Sequence, residues 1–286
     1  MIIERQEQVT EVVLAAMSGT TDARLAEIMA SLVRHLHAFA RDVRLTEPEF
    51  EQALAAVVAL GQLTNATHNE AVLASDVLGL STLVCLMNNG PGGNTETAAA
   101  LLGPFWRMNS PPTANGGSIL RSPTPGEPLA VSGTVRDAAG APVAGAEVDV
   151  WQASPVGMYE NQDPGQADMN LRGKFTTDAE GRFWFSTVKP AGYPIPTHGV
   201  VGRLLAAQRR QPFRPAHIHF LVHRPGFKTL ISQVFMDEED KLEADVVFGV
   251  TRSLVGRLDR TADGLTLTHD FVLTAGEAIL PTPPIG

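Results

Sequence analysis

The chain has 286 residues, 44% of them hydrophobic, and a formal net charge of −9; that supports one large domain or two modest ones and argues against a nucleic-acid backbone as partner, which needs clustered Lys and Arg. Cys85 is the only cysteine, so an intrachain disulfide and a cysteine-based metal site are excluded. The first residues lack a basic, then apolar, leader pattern, and no apolar run approaches the roughly 20 residues that span a bilayer, so a cytoplasmic protein is expected.

Residues 1–100 read as a helical domain. Leu25, Ile28, Met29, Leu32, Val33 and Leu36 recur at steps of three and four, one helix face, with Thr21-Asp22 ahead of them as N-cap. A second helix opens at Thr46-Glu-Pro-Glu, with Thr46 as cap and Pro48 in the first turn. A third spans about Asn69 to Met87 and is broken by Asn88-Asn-Gly-Pro-Gly-Gly-Asn94. Residues 101–128 form a connector rich in Pro, Gly and Ser, expected to run extended over the surface.

From residue 129 to 286 the pattern is β. Leu129–Val135 and Ala146–Trp151 alternate apolar and polar around turn residues at 136–142. Further strands are expected at Arg182–Val188, Ala216–Val222, Thr229–Phe235 and Leu265–Leu273. Short strands between Gly, Pro and Asp turns imply a β-sandwich or barrel. The fold class is therefore mainly β with α, a C-terminal sandwich behind an N-terminal helical segment.

His217 and His219 lie two apart in a strand pattern. Side chains at i and i+2 share a face, with Cα atoms about 7 Å apart, a spacing that suits two imidazoles on one metal. The alternative is a pair of solvent-facing histidines on an edge strand. The chain has only two tyrosines against twelve phenylalanines, and both stand upstream of this pair, at Tyr159 and Tyr193. Singly, Tyr159 could be a strand-end aromatic and Tyr193 a turn residue beside proline. Together they suggest phenolate ligands, and two hard anionic oxygens with two imidazoles suit Fe(III) better than Zn(II). His198 stays open as a further ligand or a neighbour of one. Arg209 and Arg210 read as a solvated loop.

These residues carry a resemblance. Leu101-Leu-Gly-Pro-Phe105, Val150-Trp-Gln-Ala153, Leu171-Arg-Gly-Lys-Phe-Thr-Thr-Asp178 and Arg214-Pro-Ala-His-Ile-His219 resemble the intradiol ring-cleaving dioxygenases, and the likeness covers most of the chain. It implies one Fe(III) per chain, held by Tyr159, Tyr193, His217 and His219, with Tyr193 leaving the metal to act as a base. Arg214 would lie over the substrate ring, where the alternative is a strand-end salt bridge, and Gln233 would stand behind the ligands. The substrates implied are a small aromatic diol and O2, and the product is a ring-opened dicarboxylic acid. The resemblance also implies a homodimer through the N-terminal helices, with phospholipid bound there. A non-catalytic transthyretin-like binding module is the competing class.

Within the family, Tyr193-Pro-Ile-Pro-Thr197, Ser75-Asp-Val-Leu-Gly79 and Val247-Phe-Gly-Val250 are most similar to the hydroxyquinol enzymes, which convert benzene-1,2,4-triol to maleylacetate. The pocket implied is Leu73, Asp76, Leu101, Gly103, Pro104, Phe105, Ile195, Pro196, Arg214 and Val247. Asp76 would accept a hydrogen bond from a third ring hydroxyl; alternatively it caps or salt-bridges a helix. Gly192 and His198 depart from that subgroup. Gly192 is more like the catechol enzymes, so catechol or chlorocatechol cleavage to cis,cis-muconates is the alternative.

Overall fold

The computed structural model describes residues 2–65, 68–89, 96–237 and 242–284. Contacts divide the chain into two compact units, residues 1–59 and 60–286. The change of composition at residue 100 and the division of contacts thus fall at different points. In the first unit, α1 (Val9–Ala16) packs on α2 (Ala23–Asp42). Asp22 caps α2 by accepting from the Leu25 N–H, satisfying one of its orphan donors. The buried Thr10 hydroxyl joins the two helices through His37 Nδ1 at 3.0 Å and the Arg41 guanidinium at 3.3 Å. On α2 and its C-cap, Leu25, Ile28, Leu32, Leu36, Phe39 and Val43 remain about half exposed. Next, α3 spans Glu47–Leu63, and Glu49 reaches back to accept from the Thr46 N–H and hydroxyl.

The expected third helix is two helices, α4 (Glu70–Val77) and α5 (Leu80–Asn89), bent by 77°. Gly79, at φ +73°, ends α4 in a left-handed turn that an L side chain resists. The expected breaker at 88–94 lies mostly outside the described residues. Among the described residues no single helix is long and apolar enough to cross a membrane; α4 and α5 pass only as a bent pair.

The second unit is built on β1 (Pro128–Asp137), β2 (Glu147–Gln152), β3 (Arg172–Thr176), β4 (Arg182–Val188), β5 (Tyr193–Pro194), α6 (Val200–Ala207), β6 (Phe213–Arg214), β7 (His217–His223), β8 (Leu230–Met236), β9 (Val255–Gly256), β10 (Leu258–Thr261), β11 (Gly264–Thr268) and β12 (Phe271–Leu273). One sheet runs β10-β11-β1-β12, with β4 on β1; the other runs β3-β2-β7-β8-β9. Leu129, Val131, Phe183, Phe185, Leu265, Leu267 and Phe271 of the first sheet meet Val148, Val150, Phe175, Ile218, Phe220, Val222 and Val234 of the second in one core cluster, giving a β-sandwich. The expected strand Leu265–Leu273 is interrupted. Asp270 accepts from the Thr134 N–H and His269 donates to the Ser132 carbonyl, so β11 and β12 pair with successive halves of β1.

Because side chains alternate, the residues between those core positions on β2 and β7 point to the opposite face of the second sheet. There Asp149, Trp151, His217, His219 and Leu221 are all buried, so a further layer covers this face. The connector is part of that covering. Phe105 and Trp106 are buried against Trp151 and Tyr159. Further along, the connector is stitched to both sheets by Thr113 N–H to the Lys174 carbonyl, Gly116 N–H to Trp184 and Ile119 N–H to Ser186. It is thus anchored, with Ile119 in the sandwich core.

Candidate metal centre and substrate cavity

β7 presents His217 and His219 on the covered face, with Nε2 atoms 3.1 Å apart. His217 Nδ1 is 2.6 Å from the Pro215 carbonyl, which makes Nδ1 the protonated nitrogen and leaves a lone pair on Nε2. Burial, reinforced by the charge of Arg214, pushes His217 down to about 3, and burial with its neighbour His217 holds His219 well below the ordinary range. Both imidazoles are therefore neutral, with nitrogens converging on one point.

The tyrosines close the same space. Tyr159 and Tyr193 meet edge to face at 5.6 Å between ring centroids; Tyr193 is 5.7 Å from His217 and Tyr159 6.5 Å from His219. Among the described residues the buried Tyr159 hydroxyl has no hydrogen-bond partner of normal geometry, and the Tyr193 phenol is the group that faces it. Burial pushes its phenol well up, and the Tyr193 phenol adds to this, so the phenolate needs a strong cation beside it. Among the described residues no three of His, Cys, Asp and Glu gather to hold a metal, so a metal here depends on the phenols. An orphaned phenol and two converging neutral imidazoles are a donor set that fits a hard, strongly Lewis-acidic ion.

Tyr193 is held by a ladder of only two residues, β5 on β6, which sets it opposite Arg214. Arg214 is buried, and its Nη1 is 3.4 Å from His217 Nε2. Burial disfavours its charge, but Asp245 and the phenols outweigh this and hold it firmly protonated. Gln233, opposite His219 on β8, accepts from Arg214 Nη2 at 2.9 Å and donates to the Leu101 carbonyl at 2.6 Å.

Beside these rings lies a cavity of about 200 Å³ whose lining includes Leu73, Asp76, Pro104, Phe105 and Pro196, five of the sequence-derived pocket residues. Phe105 links cavity and rings, stacked on Tyr159 at 4.4 Å. Gly103, at φ +73°, lies so close to His219 that a Cβ would stand 3.1 Å from Cε1. Ile195 and Val247 form the cluster behind Leu73, and Leu101 packs on it. Asp76 is buried, and among the described residues it forms no salt bridge. Burial pushes its carboxyl up, against the Ser81 hydroxyl and the charge of Arg214.

Five residues escaped sequence reasoning. Asp245 pairs with Arg214. His68 and the polar Asn161 and Gln162 also line the cavity. Glu70, fully buried, bonds His68 Nε2 at 2.6 Å and caps α6 by accepting from the Val201 N–H. His198 is exposed and lies 5.1 Å from the His68 ring, apart from the four converging rings. Gly192 has a packing reason: a Cβ there would meet Phe213 Cζ at 2.4 Å and the Arg214 carbonyl at 2.6 Å.

Residues 102–275 match the family described as Dioxygenase, and residues 22–94 match Catechol dioxygenase N terminus. The chain belongs to the intradiol dioxygenases. It is 44% identical to the 6-chlorohydroxyquinol 1,2-dioxygenase of Cupriavidus pinatubonensis, covering 94% of this chain and 97% of the relative. It is 40% identical to the hydroxyquinol 1,2-dioxygenase of a Rhizobium species, covering 94% and 95%. Among solved structures, hydroxyquinol 1,2-dioxygenase of Pseudomonas putida superposes with a TM-score of 0.88 at 35% identity, covering 95% of this chain and 99% of that one. This dioxygenase shares with them the helical N-terminal segment and the sheet domain.

Proposed function

We propose that this dioxygenase cleaves hydroxyquinol between its adjacent hydroxyl-bearing carbons to give maleylacetate, at one Fe(III) per chain held by Tyr159, Tyr193, His217 and His219. The observation that carries the substrate is Asp76, a buried carboxyl in the wall of the cavity beside the four rings. A third ring hydroxyl gives that carboxyl a partner besides the Ser81 hydroxyl; plain catechol offers it none. The relatives named for hydroxyquinol support the same reading.

Bound there, the metal would supply Lewis acidity that draws electron density from the diol and opens its ring to O2. The residues do the rest. Tyr193 Oη is the atom assigned to take a proton from the incoming diol, and the two-residue β5 holds it by few bonds. Arg214 keeps a fixed positive charge facing the rings and would stabilise negative charge building on the substrate, with no reorganisation needed at that moment. Gln233 keeps the guanidinium in place. Leu73, Pro104, Phe105 and Pro196 orient the ring and exclude water, backed by Leu101, Ile195 and Val247, while Gly103 leaves room beside His219.

Residues 129–286 carry the metal in this reading, residues 101–128 connect, and residues 1–100 serve dimerisation. The half-exposed stripe on α2 supports a homodimer, with phospholipid as a further occupant. Sedimentation showing a monomer would remove the first, and solvent extraction releasing no lipid the second. The lone cysteine suits the reducing cytoplasm.

Turnover of hydroxyquinol, catechol and chlorocatechols by the iron-loaded protein tests the substrate. Hydroxyquinol is expected to lead, and Asp76→Ala to narrow the gap by roughly 1–3 kcal/mol, about 5- to 150-fold. Equal rates on all three in the parent would defeat the assignment.

A further inference from the structure

The two histidines are oriented by different means. His217 is fixed by the Pro215 carbonyl, as a ligating imidazole usually is. His219 Nδ1 is buried and, among the described residues, has no hydrogen-bond partner. Its ring instead lies flat on the Trp151 indole, centroids 4.7 Å apart and planes 9° from parallel. Trp151 is itself fully buried, and its Nε1 also lacks a partner, so no polar contact sets the indole plane.

The sheet register supplies what does. Trp151 pairs with His219 on one side and with Arg172 on the other, and His219 pairs with Gln233. Arg172, Trp151, His219 and Gln233 therefore form one row across four strands, and directly opposed residues of such a row stand about 5 Å apart at Cβ. Arg172 has no exposed surface. Its Nε donates to Glu160 Oε1 at 2.7 Å, while among the described residues Nη1 and Nη2 have no hydrogen-bond partner. A buried guanidinium left so sparsely bonded is costly, and an apolar side chain of similar volume would hold the sheet at less expense. Glu160 immediately follows Tyr159, and Arg107 fixes it from a second side at 3.1 Å.

We propose that Arg172 is a positioning residue for the metal centre: through Trp151 it sets the ring plane of His219, and through Glu160 it fixes the chain that presents Tyr159. One buried side chain thus aligns two donors drawn from different elements. This rests on the ligand set given above.

The test uses iron-loaded protein and three readouts: iron affinity by competition with a chelator, the visible tyrosinate-to-Fe(III) absorption maximum, and kcat and KM for the diol. Arg172→Gln is expected to weaken iron binding about 10- to 100-fold, as loss of a group supporting a ligand does, to move the absorption maximum, and to lower kcat more than KM. Trp151→Leu removes one of the two routes and is expected to act in the same direction by less, and the double variant to be no worse than Arg172→Gln alone. Parent-like affinity and absorption in Arg172→Gln, or losses that simply add in the double variant, would overturn the proposal. If Arg172→Gln does not fold, Arg172→Lys keeps the charge and the reach to Glu160; it should move the absorption in the same direction by less, and an unmoved maximum counts against the role. A parent that binds no iron and shows no visible band would instead sink the ligand set.

Discussion

Asp245 grips the Arg214 guanidinium at two points, Oδ1 to Nε at 3.2 Å and Oδ2 to Nη2 at 3.3 Å, with both side chains almost fully buried. The same carboxylate accepts from the Gly249 N–H at 2.9 Å, so it also shapes the loop that carries Val247. Asp245 is the first of the groups that offset the burial of Arg214 and let it face the candidate metal centre as a fixed charge.

Removing the partner should therefore strand a buried cation. Asp245→Ala is expected to lose about 3–5 kcal/mol of stability and to lower kcat, because Arg214 is no longer aimed. Asp245→Asn retains an acceptor and should lose less. Denaturant unfolding of the two variants checks this, and parent-like stability of Asp245→Ala would contradict it.

Gly103 is placed to be intolerant for two reasons. Its φ of +73° is a left-handed conformation, and a Cβ would press on His219 Cε1. Gly103→Ala is expected to cost about 1–2 kcal/mol from backbone strain alone and to reduce turnover by displacing the imidazole. A variant with parent stability and activity would show that the cavity wall yields more easily than this packing implies.

Asp149 gives a pH signature. Its Oδ2 accepts from Trp106 Nε1 at 3.1 Å, and burial, opposed by the Ser110 hydroxyl and the Trp106 indole, lifts the carboxyl from 3.8 to about 6. The folded state binds this proton more tightly than the unfolded chain. The stabilising contribution is therefore complete below pH 3.8 and is lost as pH rises through about 6. Above that, ionisation costs on the order of 3 kcal/mol. Asp149→Asn keeps the acceptor for Trp106 and should raise Tm at pH 8 while changing it little at pH 4. Identical Tm–pH curves for parent and variant would remove Asp149 from the explanation.

Tyr193→Phe should leave the fold intact, since only a hydroxyl is lost from a two-residue strand. It should alter the visible spectrum of the iron-loaded protein and sharply reduce turnover. An unchanged spectrum with unchanged activity would remove Tyr193 from the ligand set.

Much of the sandwich was legible because its strands alternate about a single core. The residues of the four converging rings were legible because tyrosine is so rare here and because His-x-His shares one strand face. What escaped was non-local. α6 contains Gly202 and a β-branched start, and its cap comes from Glu70, some 130 positions away in the chain. Gly199 lets that carboxylate approach, since a Cβ there would stand 2.1 Å from Glu70 Oε1. Asp245 lies in a short loop with no pattern of its own. Arg210 reads as a solvated loop residue, yet it donates to the Val77 and Val246 carbonyls at 2.8 Å each and lies over the Phe248 ring, bracing the cluster behind the cavity. The break at Gly79 was hidden because the apolar run continues through it.

The most direct measurement is the structure, by NMR, of the product formed when the iron-loaded protein is given hydroxyquinol and O2. The expected product is maleylacetate, a ring-opened dicarboxylic acid that has taken up both atoms of O2 and carries no aldehyde. An aldehyde-bearing product, or recovery of unchanged triol from a protein that has bound iron, would contradict intradiol cleavage of hydroxyquinol at this site.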